Sequence, residues 1–488
     1  MPIPVDSFHA PNYEYYSMSC PTSTSCTAVG QFEDAASEWV PVVETKTGGA
    51  WGTAVAIALP VDATPTLQAG AWMSSIDCTS VGNCVAVGQY PVGAEAETKP
   101  MIATETAGIW GPATESTNLP AGAATGATEV AELSSIWCAG AGSCVATGSF
   151  LDGSSNAHTM VATETGGTWQ PAIQLADPPG IVEVGGALQP LGLACADLLN
   201  CTLTGTFPSH GGNGATAYAQ RESAGAWGAA TPFSPGNLPF ALLASVACPT
   251  ASTCIAVGSA TTDQNVTYPF AVTATSGKWG KATILPSPLL SPPTSGGDLN
   301  WISCGSRTVC VAAGDTYDAK QGRVPAADTW TGGKWSSAGL LTTAPSGGAA
   351  PADATLDAVH CFSAESCLAI GTSSPTFSST APYFAFSASL VPTRTVGAPG
   401  PPIGVHAKLS PGVAALSWAP PANDGGAAIV LFRLTATSAR EPSRSCQSRV
   451  PTCRISGLAR GHAYVVTVVA RNAAGHMGAP AKIHIVAH

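Results

Sequence analysis

Charged residues and histidines are scarce in this sequence. Charged side chains make up 10% of its 488 residues, and only four of its nine histidines precede residue 400. Those four (His9, His158, His210 and His360) share no spacing, which argues against a copper, haem or zinc array. Glycine-rich phosphate loops and G-x-S-x-G elbows are also missing. The sequence therefore predicts neither a metal nor a cofactor.

Long apolar runs and helical periodicity are missing as well. No stretch of about 18 apolar residues occurs, so we expect no membrane span. The 53 glycines and 40 prolines separate short alternating segments, which is typical of an all-β protein. The first residues, MPIPVDSFHA, carry neither a basic start nor an apolar core, so we expect a start further upstream or a trimmed chain.

Cysteine, by contrast, is abundant, and it recurs in a fixed frame. Seven pairs have five residues between their members, and their first cysteines lie 53 to 60 residues apart. A period of this size indicates repeated supersecondary units. The seven pairs are Cys20 and Cys26, Cys78 and Cys84, Cys138 and Cys144, Cys195 and Cys201, Cys248 and Cys254, Cys304 and Cys310, and Cys361 and Cys367.

The spacing within each pair favours disulfides over zinc. Structural zinc sites use cysteines two to four residues apart, often with histidine. A five-residue hairpin loop places its flanking residues opposite each other on adjacent strands, close enough to bridge. We predict these seven bridges and an eighth between Cys446 and Cys453, with no free thiol. Such usage indicates an oxidising compartment, so we expect a secreted, extracellular or cell-surface protein.

The third repeat shows the expected strand pattern. AELSSIWC, CVATGSF, HTMVATET and TWQPAIQLA predict strands over residues 131–138, 144–150, 158–165 and 168–176. A Gly-Trp turn precedes the fourth strand in six repeats, and we expect its tryptophan to pack in the core. The turn TETGGTW is similar to the Asp-box turn of sialidase-type propellers, keeping its Thr, Gly and Trp but lacking its Asp. These tryptophans are Trp51, Trp110, Trp169, Trp227, Trp279 and Trp335.

Seven units of four strands predict a seven-bladed β-propeller over residues 1–393. The seventh unit has no Gly-Trp turn and no clear fourth strand. The segment MPIPVDSFHAP resembles IALPVDATP at the end of the first unit. We therefore expect residues 1–6 to complete the last blade. The alternative is a truncated chain whose upstream blades are missing.

After a linker over residues 394–399, the cysteine frame stops and a second domain begins. Residues 400–488 resemble a fibronectin type III domain, which implies a β-sandwich. We expect the Cys446–Cys453 bridge to staple a hairpin there. The residues that carry the resemblance are a core tryptophan, a tyrosine-corner pattern and the loop before the last strand: Trp418; Leu458, Gly461 and Tyr464; Asn472 and Gly475.

The two parts carry opposite charge. Residues 1–393 contain 28 acidic and 9 basic residues, or −19, and residues 394–488 contain 2 acidic and 10 basic residues, or +8, which sum to −11. The acidic majority argues against nucleic acid as a partner. The basic part is open to three interpretations: docking on the acidic part, binding of an anionic cell-envelope polymer, or a solvated face.

Function usually lies on variable loops held by a rigid scaffold. Here these are the loops between the second and third strands and between successive repeats. Aromatic rings beside carboxylates suit a sugar, although the rings could equally cap the ends of the second strands. The residue before each first cysteine, such as Ser19 or Asp77, is expected to pack between blades. The candidate ligand-binding residues are Phe32, Tyr90, Phe150, Phe207, Glu95, Asp152, His210, Asp315, Tyr317 and Arg323.

Three functions fit these features. The first is a non-catalytic binding or scaffold protein for glycan or protein ligands. The second is a secreted glycoside hydrolase, which fibronectin type III modules of bacterial proteins often accompany. The third is a purely structural extracellular protein. A sialidase is disfavoured because Arg221, Arg307 and Arg323 fall on different turns and cannot share one face, so we predict no catalytic residues.

Overall fold

The computed structural model describes residues 12–66, 69–93, 97–116, 118–180, 188–209, 214–285, 296–318, 322–336, 339–340, 353–374, 384–390, 398–421, 423–424, 429–473 and 475–487. In these ranges the protein is all-β, apart from 3₁₀ turns at Gly126–Thr128 and Pro235–Asn237. Two compact units are present, one within residues 1–391 and one that includes residues 392–488. The predicted closing strand over residues 1–6 and the predicted linker residues 394–397 lie outside the described residues.

The first unit contains the seven repeats. The strands of repeats 1–3 are β1 (Tyr13–Thr22), β2 (Ser25–Glu33), β3 (Trp39–Thr47), β4 (Ala50–Trp51), β5 (Val55–Ala56), β6 (Trp72–Ser80), β7 (Asn83–Val92), β8 (Glu97–Thr106), β9 (Ile109–Trp110), β10 (Thr114–Glu115), β11 (Ala131–Gly140), β12 (Ser143–Leu151), β13 (Ala157–Thr165), β14 (Thr168–Trp169) and β15 (Ile173–Gln174).

Repeats 4 to 6 follow the same order, whereas the described residues of repeat 7 contain a dipeptide strand before the first long strand and none after the third. Their strands are β16 (Gln189–Asp197), β17 (Asn200–Ser209), β18 (Gly214–Ser223), β19 (Ala226–Trp227), β20 (Thr231–Phe233), β21 (Phe240–Thr250), β22 (Thr253–Thr261), β23 (Thr267–Thr275), β24 (Lys278–Trp279), β25 (Thr283–Ile284), β26 (Gly297–Ser306), β27 (Val309–Asp318), β28 (Gly322–Thr331), β29 (Lys334–Trp335), β30 (Gly339–Leu340), β31 (Asp353–Ala354), β32 (Ala358–Ser363), β33 (Ser366–Ser374) and β34 (Phe384–Leu390).

Repeats 1, 2, 3 and 6 each form a five-stranded sheet, whereas repeats 4 and 5 share one ten-stranded sheet through a parallel contact between β18 and β21. Repeat 3 shows the common pattern. The strands β11, β12 and β13 pair in sequence order. The prediction of one continuous fourth strand over residues 168–176 is wrong. Two dipeptide strands, β14 and β15, pair separately with β13, on either side of Pro171, which has no N–H to donate to a ladder.

A glycine near the middle of each second strand is required by close backbone approach. In repeat 3, a Cβ on Gly148 would overlap the carbonyl oxygen of Glu132, at a bulge between Leu133 and Ser135 of the first strand. The equivalent pairs in the other repeats are Gly30 with Glu14, Gly88 with Trp72, Gly205 with Gln189, Gly258 with Leu242, Gly314 with Asp298, and Gly371 with Thr355. Any side chain at these positions would push the two strands apart.

The hydrophobic cores of this unit lie between neighbouring repeats. One core joins Val29 of repeat 1 to Met73 of repeat 2, and others continue this pattern along the chain. A further core joins Tyr15 of repeat 1 to Ile370 of repeat 7. The last repeat therefore packs against the first.

The disulfide prediction is confirmed. Six of the seven repeat pairs form bridges across their hairpins, with Cα–Cα distances of 3.9 to 4.0 Å, shorter than the about 4.5 Å of an ordinary non-hydrogen-bonded pair. Cys304 and Cys310 are also disulfide-bonded. No free cysteine occurs in the part of the chain that the structure describes.

The second unit contains a two-sheet sandwich. Its strands are β35 (Ile403–Ser410), β36 (Val413–Ala419), β37 (Ile429–Thr437), β38 (Arg444–Ser448), β39 (Thr452–Ser456), β40 (Ala463–Asn472) and β41 (Ala481–Val486). One sheet has the order β35-β36-β39 and the other β38-β37-β40-β41. Trp418 lies in the core, with its ring centroid 5.2 Å from that of Phe432. The predicted tyrosine corner is present, because the backbone N–H of Ala459 donates to the hydroxyl of Tyr464 at 2.9 Å.

The eighth bridge forms between the predicted cysteines, but the prediction that it staples a hairpin is wrong. Cys446 lies on β38, opposite Leu434 of β37. Cys453 lies on β39, opposite Leu416 of β36, in the other sheet. The bridge therefore joins the two sheets of the sandwich, with a Cα–Cα distance of 6.5 Å.

Candidate functional site

A cavity of about 210 Å³ is lined by the first strands of all seven repeats. One lining residue from each repeat, in chain order, is Met18, Ser75, Trp137, Leu193, Val246, Trp301 and His360. The seven repeats thus share a common centre.

Hydrogen bonds from one first strand to the next hold this centre together. The side chain of Ser19 accepts a bond from the backbone N–H of Cys78 at 3.0 Å, and Asp77 accepts one from Cys138 at 2.7 Å. In repeats 1, 2 and 6 the residue before the first cysteine therefore joins its repeat to the next one. Further bonds of this kind link Ser17 to Ile76, Ser75 to Ile136, Ser245 to Ile302, and Ser303 to Cys361.

The cavity offers little acid–base chemistry near neutral pH. Burial lowers the pKa of His360 to about 4, so its imidazole is neutral. Burial raises the pKa of Asp77, against hydrogen bonds from Cys138, Ser19 and Cys78 that lower it. Because the Asp77 carboxyl is already used to tie repeats 1, 2 and 3 together, it acts as a structural group.

The four predicted aromatic residues are buried. Phe32, Tyr90, Phe150 and Phe207 have exposed fractions of 1%, 0%, 2% and 1%. Each belongs to a hydrophobic core between repeats. No ring face is available for a sugar to stack on, and the four side chains cap the ends of the second strands.

Of the predicted polar residues, Asp152 anchors the loop after β12. Its Oδ1 accepts backbone N–H bonds from Ser154 at 2.8 Å and Asn156 at 2.9 Å, and these bonds hold its pKa well below the usual range. His158 lies between Asp152, at 3.3 Å, and Asp177, at 3.2 Å. Burial lowers the pKa of His158, but the two carboxylates outweigh that effect and raise it overall.

Arg323 makes a similar arrangement in repeat 6. Its guanidinium donates two bonds of 2.9 Å to the carboxylate of Asp353, and it lies 4.0 Å from Asp315. Burial, followed by the neighbouring Asp298, raises the pKa of Asp315 to about 9. Burial also raises the pKa of Asp298, and the backbone N–H of Asp315 donates to the Asp298 carboxyl at 3.4 Å.

The remaining predicted residues contribute less. Glu95 and His210 lie outside the described residues. Tyr317 belongs to β27, but its side chain is also outside the described part. Asp315, Asp353 and Arg323 are thus brought together, whereas Asp152 lies with His158 in another repeat.

Sequence reasoning missed a third charge cluster, in repeat 2. The ammonium group of Lys99 lies 3.0 Å from Asp62 and 3.5 Å from Glu115. Tyr90 donates its hydroxyl to Asp62 at 3.2 Å. Lys99 is the one basic residue of its repeat, which is the signal that could have located the cluster.

Comparison with known proteins identifies the second domain. The family model described as fibronectin type III domain matches residues 399–485, which include the sandwich core and the tyrosine corner. These residues form a fibronectin type III domain. The fibronectin type III domain takes up less than a fifth of the chain. No curated protein matches the chain.

Several solved structures are similar to parts of the chain. The twitchin kinase region from C. elegans is 26% identical, with 18% of this chain and 16% of that chain covered and a TM-score of 0.17. A structure of the titin kinase and its flanking domains is 25% identical, with coverages of 19% and 18% and a TM-score of 0.17. The Hadza microbial sialidase Hz136 is 10% identical, with coverages of 62% and 63% and a TM-score of 0.40. The chain therefore spans less than a fifth of the twitchin and titin chains.

Metal-ligand clusters and membrane-spanning helices are both absent from the described ranges. No group of three or more His, Cys, Asp or Glu side chains there could hold a metal ion. No helix of the described part has the length and apolar character needed to cross a membrane.

Proposed function

We propose that the chain is a secreted or cell-surface, non-catalytic binding protein that presents ligand-binding loops on a seven-bladed β-propeller. Two features support the propeller: the cavity shared by all seven repeats and the core between repeats 7 and 1. The eight disulfides support an oxidising, extracellular location. The domain boundaries proposed with this architecture are 1–393, 394–399 and 400–488.

Three charge clusters of the same design support a binding role for the loops. In repeats 2, 3 and 6 a cation near the start of the third strand is held between two carboxylates. The clusters are Lys99 with Asp62 and Glu115, His158 with Asp152 and Asp177, and Arg323 with Asp315 and Asp353. The cluster of repeat 3 joins the loop after β12 to the segment after β15. That of repeat 2 joins the start of β8 to the segment after β5 and to β10, and that of repeat 6 joins the start of β28 to β27 and β31. The segments beside these clusters are thereby held in one arrangement before a ligand arrives.

The clusters also suggest the class of ligand. Carboxylates outnumber cations in each of them, and such groups accept hydrogen bonds from hydroxyl or ammonium donors. A neutral glycan or a basic protein segment therefore suits these loops better than an anionic polymer. An anionic cell-envelope polymer would instead suit the exposed arginines of the fibronectin type III domain, such as Arg449 and Arg454.

The test is retention of the full-length, disulfide-intact protein on an array of neutral glycans, anionic glycans and peptides, combined with an assay for released sugar. We expect saturable binding of a neutral glycan or a basic peptide without product. Asp177→Asn should weaken that binding several-fold. Asp197→Asn, in the hairpin turn between β16 and β17, should leave it unchanged.

Two outcomes would contradict the proposal. Release of reducing sugar would indicate a glycoside hydrolase. Absence of binding to every glycan and peptide on the array would favour a purely structural extracellular protein.

A further inference from the structure

A groove of about 760 Å³ lies between repeats 1 and 2, away from the loops described above. One wall is the outer part of repeat 1, from β3 to β5. The other wall consists of two tight turns of repeat 2, at Gly82 and at Gly108, together with β9. Its volume is within the range of small-ligand and peptide pockets, about 300–1,000 Å³.

The rim of the groove is unusually apolar for a surface. Val55 is 57% exposed, Val81 is 54% exposed and Ile109 is 74% exposed. The three side chains come from different segments of the chain, and all of them line the groove. Exposed aliphatic side chains are normal singly, but a cluster around a concave site marks a binding surface.

The floor of the groove contains a buried donor and a buried acceptor. Glu105 of β8 and Trp110 of β9 are a cross-strand pair that lines the groove. Glu105 is 4% exposed. Neither its Oε2 atom nor Nε1 of Trp110 has a hydrogen-bond partner among the residues that the structure describes. Burial raises the pKa of Glu105.

Buried polar atoms without hydrogen-bond partners destabilise the folded chain. A ligand that supplied an N–H to Oε2 of Glu105 and a carbonyl oxygen to Nε1 of Trp110 would remove both penalties. An amide group carries that combination of donor and acceptor. The floor is therefore complementary to an amide, and the rim to aliphatic side chains.

The edge of the first sheet adds a third element. The strand β5 pairs with β3 and forms an outer edge of its sheet, and both of its residues are exposed. An extended peptide can add to such an edge through main-chain hydrogen bonds, while its alternate side chains enter adjacent pockets. A sugar ring would instead need an open aromatic face and several polar partners, and the rim offers Val55, Val81 and Ile109.

We propose that this groove is a second binding site, which takes an extended peptide segment with aliphatic side chains by pairing it along β5 and seating one of its amides on Glu105 and Trp110. The site goes beyond the loop-mediated binding proposed above, because it lies at the turns between the first and second strands and before the fourth strand. Binding at the loops and binding in this groove can therefore be lost independently of each other.

The test uses the full-length protein with ¹⁵N in its 12 tryptophan indoles. Trp110→Phe identifies the Trp110 signal. The probe is the blocked peptide acetyl-VTVTV-amide, with its backbone N-methylated analogue and maltohexaose as comparison ligands. We expect the peptide alone to shift the Trp110 signal in a saturable manner. We expect Glu105→Met to raise the dissociation constant about tenfold, as loss of one buried hydrogen bond implies. Glu105→Gln, which keeps an acceptor oxygen, should retain most of the affinity.

Repeat 3 provides the matched control. Glu164 and Trp169 form the equivalent cross-strand pair, and Oε2 of Glu164 also has no partner among the described residues, but neither residue lines this groove. Glu164→Met should leave peptide affinity unchanged. The proposal is overturned if the peptide leaves the Trp110 signal unmoved. It is also overturned if maltohexaose or the N-methylated peptide shifts that signal equally, or if Glu164→Met weakens binding as much as Glu105→Met.

Discussion

Asp328 should make the repeat unit less stable as the pH rises. This residue lies on β28, is 2% exposed, and its Oδ1 atom has no hydrogen-bond partner among the described residues. Burial raises its pKa from 3.8 to about 7. Between these two pH values the carboxyl is protonated in the folded chain and ionised in the unfolded chain.

The sign and the size of the effect follow from linkage. The stabilising contribution of the protonated carboxyl is complete below pH 3.8 and is lost as the pH rises to about 7. Each pH unit in that window lowers the free energy of unfolding by about 1.4 kcal/mol. The whole window corresponds to at most about 4 kcal/mol, and relaxation around the ionised group reduces this to about 2 kcal/mol.

The test variant is Asp328→Asn, which has no carboxyl to ionise. We expect its melting temperature to match that of the parent at pH 4 and to exceed it at pH 8, by an amount equivalent to about 2–4 kcal/mol. The measurement is thermal unfolding of both full-length proteins at pH 4, 6 and 8. Asp263→Asn, in an exposed turn, is the control and should follow the parent at every pH. A pH-independent difference, or a variant less stable than the parent at pH 8, would refute the reasoning.

Two further perturbations test other parts of the fold. Gly148→Ala should lower the free energy of unfolding of the repeat unit by about 3 kcal/mol or more, because the new Cβ meets the carbonyl of Glu132. Gly153→Ala, in an open turn, is the control and should change that free energy by less than about 0.5 kcal/mol. Equal melting temperatures for the two variants would contradict the close approach at Gly148. Replacing Cys446 and Cys453 together by serine should reduce the stability of the fibronectin type III domain by about 2 kcal/mol, the value for closing a loop of this length. Hydrogen exchange of peptides from residues 399–485 measures that loss, and undiminished protection would show that the bridge adds nothing.

The cysteine frame predicted the hairpins of the fold, because a bridge across a short loop leaves little freedom in how two strands meet. Its flanking residues also located the first strands, which begin and end within two residues of the prediction in repeat 3. The fourth strand was predicted less well. Pro171 has no N–H to donate to the strand ladder, and the strand is interrupted there. The alternation of apolar residues does not predict such an interruption.

The candidate site was harder to predict. Alternation along a strand predicts which face of the sheet a side chain lies on, but it does not predict how deeply that side chain is buried. Phe150 is therefore compatible with a ligand site that faces a loop and with a hydrophobic core. Its 2% exposure depends on contacts with the neighbouring repeat. The residues that line the groove could not be predicted from the sequence for the same reason. Glu105 and Trp110 look like every other Glu and Trp of the recurring turn, and only the packing of repeat 1 against repeat 2 distinguishes them.

The seven repeat disulfides have a consequence for how the protein is made. Each closes a loop of five residues, so each pair of thiols meets its correct partner by local chain motion, which for so short a loop takes far less than a microsecond. Correct disulfide pairing therefore does not require contacts between distant repeats. The disulfides can form one hairpin at a time as the chain enters the oxidising compartment. Each repeat can then contain its own bridge before the next repeat follows.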